Sequence, residues 1–270
     1  AYENSTNAKQ IIDLSTSLVQ AFGVESDTAF KQISKDNTVL AHIGGLTMMS
    51  DGVPGANTKL LAQGYLISKN NPELAKMFKL KDPEISAKID VYSKMFQDNP
   101  ETFNNIKEAA NYIYQAQLFN EGKSSDNFKI NDYEKAFQMA AGATTIAQFG
   151  FDKKMGGFDE STRGNKVHIP PWIENGKFED VTEMLKTNLE LVTMASSNDK
   201  DPIDIHGNTI GNMFENEDPY FVSVGNGKYK IAQGDNPTLF GGEPEYLMNT
   251  DGGFFIIDLN KIKSEIITGL

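Results

Sequence analysis

Tyr220-Phe-Val-Ser-Val-Gly225-Asn-Gly227-Lys-Tyr229-Lys-Ile231 and Tyr246-Leu-Met-Asn-Thr-Asp251-Gly-Gly253-Phe-Phe-Ile-Ile-Asp258 decide the fold of the last third of this chain. Each sets β-branched and aromatic residues on both sides of a glycine-rich turn, which is the pattern of a β-hairpin. Gly225, Gly227, Gly252 and Gly253 supply the positive φ that tight turns require. Two isolated hairpins are marginal in water, so the four strands are expected in one small antiparallel sheet packed on a helix. That helix is upstream, from Phe178 to Val192, with Phe178, Val181, Leu185 and Val192 on one stripe.

Before the helix stands Arg163-Gly-Asn-Lys-Val167-His-Ile-Pro170-Pro171-Trp172. Lys166 to Ile169 alternates as a short strand, and the prolines are expected to end it. Glu174-Asn-Gly176 reads as a turn, Ser196 to Asn212 as a polar loop, and Lys261 to Ile267 as a short closing helix.

The first half reads differently. Ile11, Ile12, Ser15, Leu18, Val19 and Phe22 recur at helical spacing up to Gly23. Phe30 and Ile33 mark a shorter helical piece, and Gly44-Gly45 lies in an apolar stretch that ends in the loop Ser50 to Gly55. A helix is expected from Asn57 to Lys69, with Leu60, Leu61, Gly64 and Ile67 inward; Asn71-Pro72 stops it and starts the next, short one. Asp82-Pro83 and Asn99-Pro100 each read as a helix start, with proline in the first turn. Ile85, Ile89, Tyr92 and Phe96 form the first stripe that follows. Phe103, Ile106, Ala110, Ile113 and Gln117 form the second, on a helix ending near Asn120. After the loop Gly122 to Asp126, another helix near Asn131 carries Tyr133, Ala136, Phe137 and Ala140. Thr144 to Phe149 has strand-like residues directly after a helix, and Lys154 to Gly157 reads as a loop. The expected fold is therefore mainly α with a small C-terminal antiparallel β part: a helical domain over 1–150 and a mixed domain over 151–270.

The 270 residues carry a net charge of −12, from 37 acidic and 25 basic side chains, and Arg163 is the one arginine. Binding to nucleic acid by counterion release requires clustered cations, so direct nucleic-acid binding is not expected. No apolar run reaches membrane-spanning length. With no cysteine, disulfides, thiolate metal sites and thiol nucleophiles are excluded. The first residue is Ala rather than Met, which is read as a processed product or a piece of a longer protein.

Residue patterns for chemistry are sparse. His42, His168 and His206 lie in separate segments without zinc-type spacing. Asp199, Asp201 and Asp204 surround His206, but the glycine and glutamate of a calcium loop are missing, and Pro202 interrupts the run. Gly225-Asn-Gly227-Lys228 looks like part of a phosphate loop, yet it lacks the upstream glycine and the following Ser or Thr, and it sits in a hairpin. Glu25-Ser26 follows a helix end and Glu160-Ser161 lies among glycines, so neither resembles a transglycosylase Glu-Ser pair on a grooved helix. No catalytic, cofactor-binding or metal-binding residue is assigned, and no cofactor is expected. Aromatic residues of the hairpins, including Tyr220, Phe221, Tyr229, Tyr246, Phe254 and Phe255, read as cross-strand packing or as a surface for assembly.

Several segments together resemble the C-terminal region of the large internal virion, or DNA-ejection, proteins of tailed phages. They are Gln63-Gly64-Tyr65 through Pro72, Glu101 to Gln115, Asp132-Tyr-Glu-Lys-Ala-Phe137, the Lys166 to Pro171 cassette followed by Phe178-Glu-Asp180, and the two hairpins. Val222-Ser-Val-Gly-Asn-Gly-Lys-Tyr229 resembles that family's Val-Pro-Val-Gly-Asp-Gly-Arg-Tyr. Asp251-Gly-Gly-Phe-Phe-Ile-Ile-Asp-Leu259 resembles its Asp-Gly-Arg-Pro-Tyr-Val-Leu-Asp-Leu. The resemblance runs from about Asn57 to Leu259, and the chain departs from it by using Lys and Asn where that family tends to use Arg and Ala. It implies a structural module held inside the virion near the portal and delivered into the host envelope. Its partners would be other virion proteins or copies of itself, and it would help the genome across. Family enzymatic activity belongs to upstream domains, so no catalytic residue is carried over. The alternative reading is a peptidoglycan-degrading enzyme, a divergent muramidase or lytic transglycosylase, or a fragment of one.

Overall fold

The computed structural model describes residues 56–97, 100–148, 150–160, 166–197, 202–203, 219–225, 227–233 and 245–269, with the single residues 28 and 35. The expected helices around Ile11 to Phe22 and Phe30 to Ile33, the Gly44-Gly45 stretch and the Ser50 to Gly55 loop lie outside the described residues. The chain divides into two compact units between Gly157 and Phe158. It is mainly helical in the first half, with antiparallel sheet in the second, as the patterns predict.

In the first unit, α1 (Ala56–Asn70), α2 (Pro72–Ile89), α3 (Pro100–Asn120) and α4 (Ile130–Ala140) bury one shared core. The helices start where the prolines predict at Pro72 and Pro100, because a missing N–H costs nothing in the first turn. Pro83 behaves otherwise. Asp82-Pro83 does not begin a helix; α2 runs through it. An interior proline removes one helical hydrogen bond, but here Lys79, Asp82 and Pro83 all face water, which solvates the freed carbonyl. Asp82 also ion-pairs with Lys107 on α3 at 2.7 Å. The predicted stripe Ile85, Ile89, Tyr92 and Phe96 is buried throughout, its second half in a 3-10 turn over Asp90–Phe96. The four residues foreseen on α4 are its buried residues.

Gly64 is where α1 crosses α3. A Cβ there would lie 1.6 Å from the carbonyl oxygen of Tyr112, so only glycine allows the two backbones to approach. Tyr133 crosses the same core and donates from its hydroxyl to Asn111 Oδ1 at 2.8 Å.

After α4, β1 (Thr144–Gln148) and β2 (Phe151–Glu160) form an antiparallel hairpin. The expected loop at Lys154 to Gly157 is instead strand. Gly156 and Gly157 adopt positive φ within it, and a Cβ on Gly157 would meet that of Ala143 at 2.6 Å. Glycine here marks a close approach, which composition alone reads as a turn.

The second unit is built on β3 (Lys166–Glu174), α5 (Phe178–Thr187), α6 (Leu189–Ala195) and a four-stranded antiparallel sheet. Pro170 and Pro171 do not end β3. Proline's fixed φ is compatible with extended backbone, and the strand loses two donors without losing its direction. The single helix expected from Phe178 to Val192 is two. Asn188 leaves helical geometry and its side chain accepts from the Leu191 N–H at 3.2 Å, capping α6. The predicted inward residues Phe178, Val181, Leu185 and Val192 are nevertheless all buried.

In the sheet, β5 (Tyr220–Gly225) pairs with β6 (Lys228–Gln233), which also pairs with β7 (Glu245–Tyr246) and β9 (Ile256–Asp258). The second hairpin closes between Met248 and Phe254, with Asn249 N donating to Gly253 O at 2.6 Å. Its limbs continue into β7 and β9, which follow one edge of β6 end to end. An uninterrupted strand would place residue 248 opposite Lys230; Ile256 stands there instead, eight residues further on. Met248 and Asn249 form β8, which pairs with β4 (Pro202–Ile203), so part of the expected Ser196 to Asn212 loop is paired. A 3-10 turn over Leu259–Ile262 and α7 (Lys263–Gly269) close the chain.

Gly64→Ala is expected to destabilise the protein by about 3 kcal/mol or more by overpacking, although alanine normally favours a helix interior by roughly 0.5–1 kcal/mol. Urea unfolding gives the sign directly. Burial raises the hydroxyl pKa of Tyr133, with the Asp82 charge adding to it, and that of Tyr229, with Asp258 adding to it. The folded state therefore holds both protons more tightly than the unfolded chain. The associated stability is complete below about pH 10 and is lost above it, at up to about 1.4 kcal/mol per pH unit for each tyrosine. Replacing either by Phe is expected to flatten the alkaline limb of a stability-versus-pH curve.

Candidate functional site

Three features of the second unit could carry function: the glycine turn of the first hairpin, a cleft beside the cassette, and an aromatic cluster on the sheet.

The turn is occupied by the chain itself. Gly225 and Gly227 take φ of +85° and +73°. Leu259 N donates to Gly227 O at 2.9 Å, and a Cβ on Gly227 would come within 2.8 Å of Asn260 Nδ2 and 3.1 Å of Pro170 Cγ. Lys228 lies 3.9 Å from the Asp258 carboxylate. A phosphate loop opens onto a helix N-terminus; this one joins two strands, accepts from the Leu259 N–H and lies against the Asn260 and Pro170 side chains.

His168 is a core residue. It is 1% exposed and its ring lies 5.0 Å from that of Phe158. Its backbone N–H donates to Ser223 Oγ at 3.1 Å, and its carbonyl accepts from the Tyr229 hydroxyl at 2.6 Å. His42, His206, Asp199, Asp201, Asp204 and Glu25-Ser26 lie outside the described residues. Among the described residues, no group of three His, Asp or Glu side chains is placed to hold a metal ion.

The cleft, about 190 Å³ in volume, is lined by Asp159 and Glu160 at the end of β2, Val167 and Ile169 of β3, Asn175, and Phe178 and Glu179 at the start of α5. Its floor is apolar and its rim carries three carboxylates. Glu160 is exposed and paired with Lys166 at 2.6 Å, so it lacks the apolar enclosure that a glycosidase general acid uses. Asp159 Oδ1 accepts from the Glu160 N–H, and Glu179 Oε2 from Thr182 Oγ1 at 3.4 Å. The Oδ1 of Asn175 is buried without a hydrogen-bond partner.

The aromatic residues of the hairpins separate by face. Phe221, Tyr229 and Phe255 enter the core with Ile231, Leu247 and Ile257, and Tyr220 is also buried. Phe254, 38% exposed, and half-buried Tyr246 reach the surface. Their rings meet edge to face at 5.3 Å. The ammonium of Lys230 lies 3.8 Å from the Phe254 ring centre and 5.6 Å from that of Tyr246. Lys230 is opposite Val222 on β5 and Ile256 on β9, so its stem is covered by apolar neighbours while its charge sits against π-faces. Sequence reading did not single out Lys230. The usable signal was its position between Tyr229 and Ile231: strand alternation puts those two in the core and Lys230 on the opposite face, with Tyr246 brought alongside by register.

Comparison of the chain with protein-family models, with curated proteins and with solved structures returned no match.

Phe254→Ala and Phe255→Ala test this separation of faces. Loss of Phe255, which is fully buried, is expected to cost roughly 3–5 kcal/mol. Loss of Phe254 is expected to cost under about 1.5 kcal/mol, chiefly through the ring and cation contacts. Thermal or urea unfolding of the two variants distinguishes them.

Proposed function

We propose that this chain is the C-terminal module of an internal virion protein of a tailed phage and that it acts by assembly rather than by chemistry. In this reading it resides inside the capsid near the portal and enters the host envelope with the ejection apparatus. There it contacts other virion proteins or copies of itself while the genome passes. The observation that carries the assembly reading is exposed Phe254 beside half-buried Tyr246, with the ammonium of buried Lys230 held against both rings. Aromatic side chains that reach the surface, as Phe254 and Tyr246 do, are enriched at interfaces. The order of the cassette, helix and hairpins supports the family reading through the resemblance. These segments interlock: Tyr229 of the first hairpin bonds to the cassette at His168, and Trp172 donates to Asn260 at 3.0 Å. Among the described residues no helix is long and apolar enough to cross a membrane, and the net charge of −12 suits a protein packed near DNA without gripping it.

The acidic cleft favours one second reading, a peptidoglycan-degrading enzyme that uses two of Asp159, Glu160 and Glu179.

Mass spectrometry of intact virions is expected to find these peptides in a capsid-internal polypeptide, and cross-linking to join them to a second virion protein or another copy. Phe254→Ala is expected to weaken that association at least about tenfold, since an interface anchor contributes roughly 1–2 kcal/mol or more. Absence of the peptides from virions would remove the reading. Purified chain that degrades peptidoglycan, and stops doing so as Glu179→Gln, would put the enzyme in its place.

A further inference from the structure

The hairpin of β1 and β2 exposes its edge and both faces. Thr144, Thr145 and Ile146 are exposed on β1, and Phe151, Asp152 and Lys154 on β2. Two residues, 149 and 150, join the strands, and Gln148 and Phe151 are the last register pair. That pair must exchange its own hydrogen bonds, because the alternative ladder would require a bond between the neighbouring residues 149 and 150. Counting back, Gln148, Ile146 and Thr144 bond to β2. Thr145 and Ala147 then direct their N–H and C=O groups to the other side. Among the described residues β1 is the end of its sheet and no strand takes that side.

Proteins blunt such edges with charge, proline or a bulge. Thr144-Thr-Ile-Ala-Gln148 carries no charged residue and no proline, and it pairs with β2 in unbroken register. Ile146, 47% exposed, and Phe151, 75% exposed, lie on one face of the hairpin by the period-two alternation of strands.

We propose that this edge pairs with the same edge of a second copy, antiparallel, about a two-fold axis at Ile146. The inference makes the assembly reading specific and rests on it, while using a surface other than the Lys230 cluster. Self-complementary geometry selects a second copy, and the uncharged β1 edge lets the contact form despite the repulsion that a net charge of −12 sets between copies. With Ile146 opposite its counterpart, the outward groups of Thr145 face those of Ala147 in the other copy, which completes four backbone hydrogen bonds. The two Ile146 side chains then adjoin on one face, flanked by the two Phe151 rings.

The absence of cysteine supplies a direct test on the full chain. Opposed residues in a non-hydrogen-bonded antiparallel pair have Cα atoms about 4.5 Å apart, within the disulfide range of about 4.4–6.8 Å. Ile146→Cys is therefore expected to give a covalent dimer under mild oxidation, and Phe151→Cys, away from the axis, to give little. Sedimentation velocity of the unmodified chain is expected to show a reversible dimer. Ile146→Lys, which sets like charges together at the axis, is expected to weaken it at least about tenfold with unchanged thermal unfolding. A chain monomeric at every concentration would overturn the inference, as would an Ile146→Lys variant that dimerises like the original. So would equal cross-linking by the two cysteine variants. If Ile146→Lys stays dimeric while Phe254→Ala dissociates, the edge pairing fails and the assembly reading stands. A monomer that also binds no virion protein removes both.

Discussion

The Tyr229 hydroxyl reaches the His168 carbonyl at 2.6 Å in a fully buried position, and the architecture of the second unit follows from that bond. A buried carbonyl without a donor costs roughly 1–3 kcal/mol, and the two prolines that follow His168 limit how β3 can rearrange to find another. The bond therefore fixes where the hairpin meets the cassette. Phe178 lies against the Tyr229 ring at 5.5 Å, so the start of α5 is positioned by the same side chain. Ser223, opposite Tyr229 on β5, accepts from the His168 N–H. Donor and acceptor of one residue are thus both satisfied by neighbouring strands of the sheet.

The helical unit depends on space rather than on a bond. Where α1 crosses α3, the backbone of Tyr112 occupies the volume a side chain at residue 64 would need. Close packing there lets Tyr65 meet Tyr112 edge to face at 5.6 Å. It also leaves Asn57, at the start of α1, to bond the carbonyls of Met139 and Ala143 at 3.2 and 2.8 Å. The end of α4 is thereby held by a side chain more than eighty residues earlier, a long-range cap.

What could be read in the sequence was periodicity. The stripes Ile85–Ile89–Tyr92–Phe96 and Tyr133–Ala136–Phe137–Ala140, the first hairpin and the inward face of the Phe178 to Val192 region are buried as their spacing predicts. Three of the differences share one cause: glycine and proline read locally as punctuation. Pro83 lies on a water-facing turn, Pro170 and Pro171 lie in extended backbone, and Gly156 and Gly157 lie inside a strand. In each place local geometry tolerates the residue, and only tertiary context reveals it. The helix break at Asn188 was legible in principle, since Asn before Leu-Glu-Leu is a plausible cap. The candidate surface was harder to see. Lys230 and Phe254 are far from adjacent in sequence, and register alone brings them together. The cleft likewise draws on three separate segments.

The second hairpin leaves the strand after β7 and returns to the same line at β9, so both of its ends are clamped by β6. Its tip contributes Phe254 to the surface but no residue to the pairing that fixes register. Loop closure costs rise only slowly with length, and Thr250 to Gly253 at the tip are exposed, so the strand on either side and the buried Leu247, Asn249 and Phe255 stay in place when those four residues change. The tip is therefore a replaceable cartridge. Divergence or grafting can change what the sheet displays to other molecules, in length as well as in side chains, while the frame that presents it remains the same.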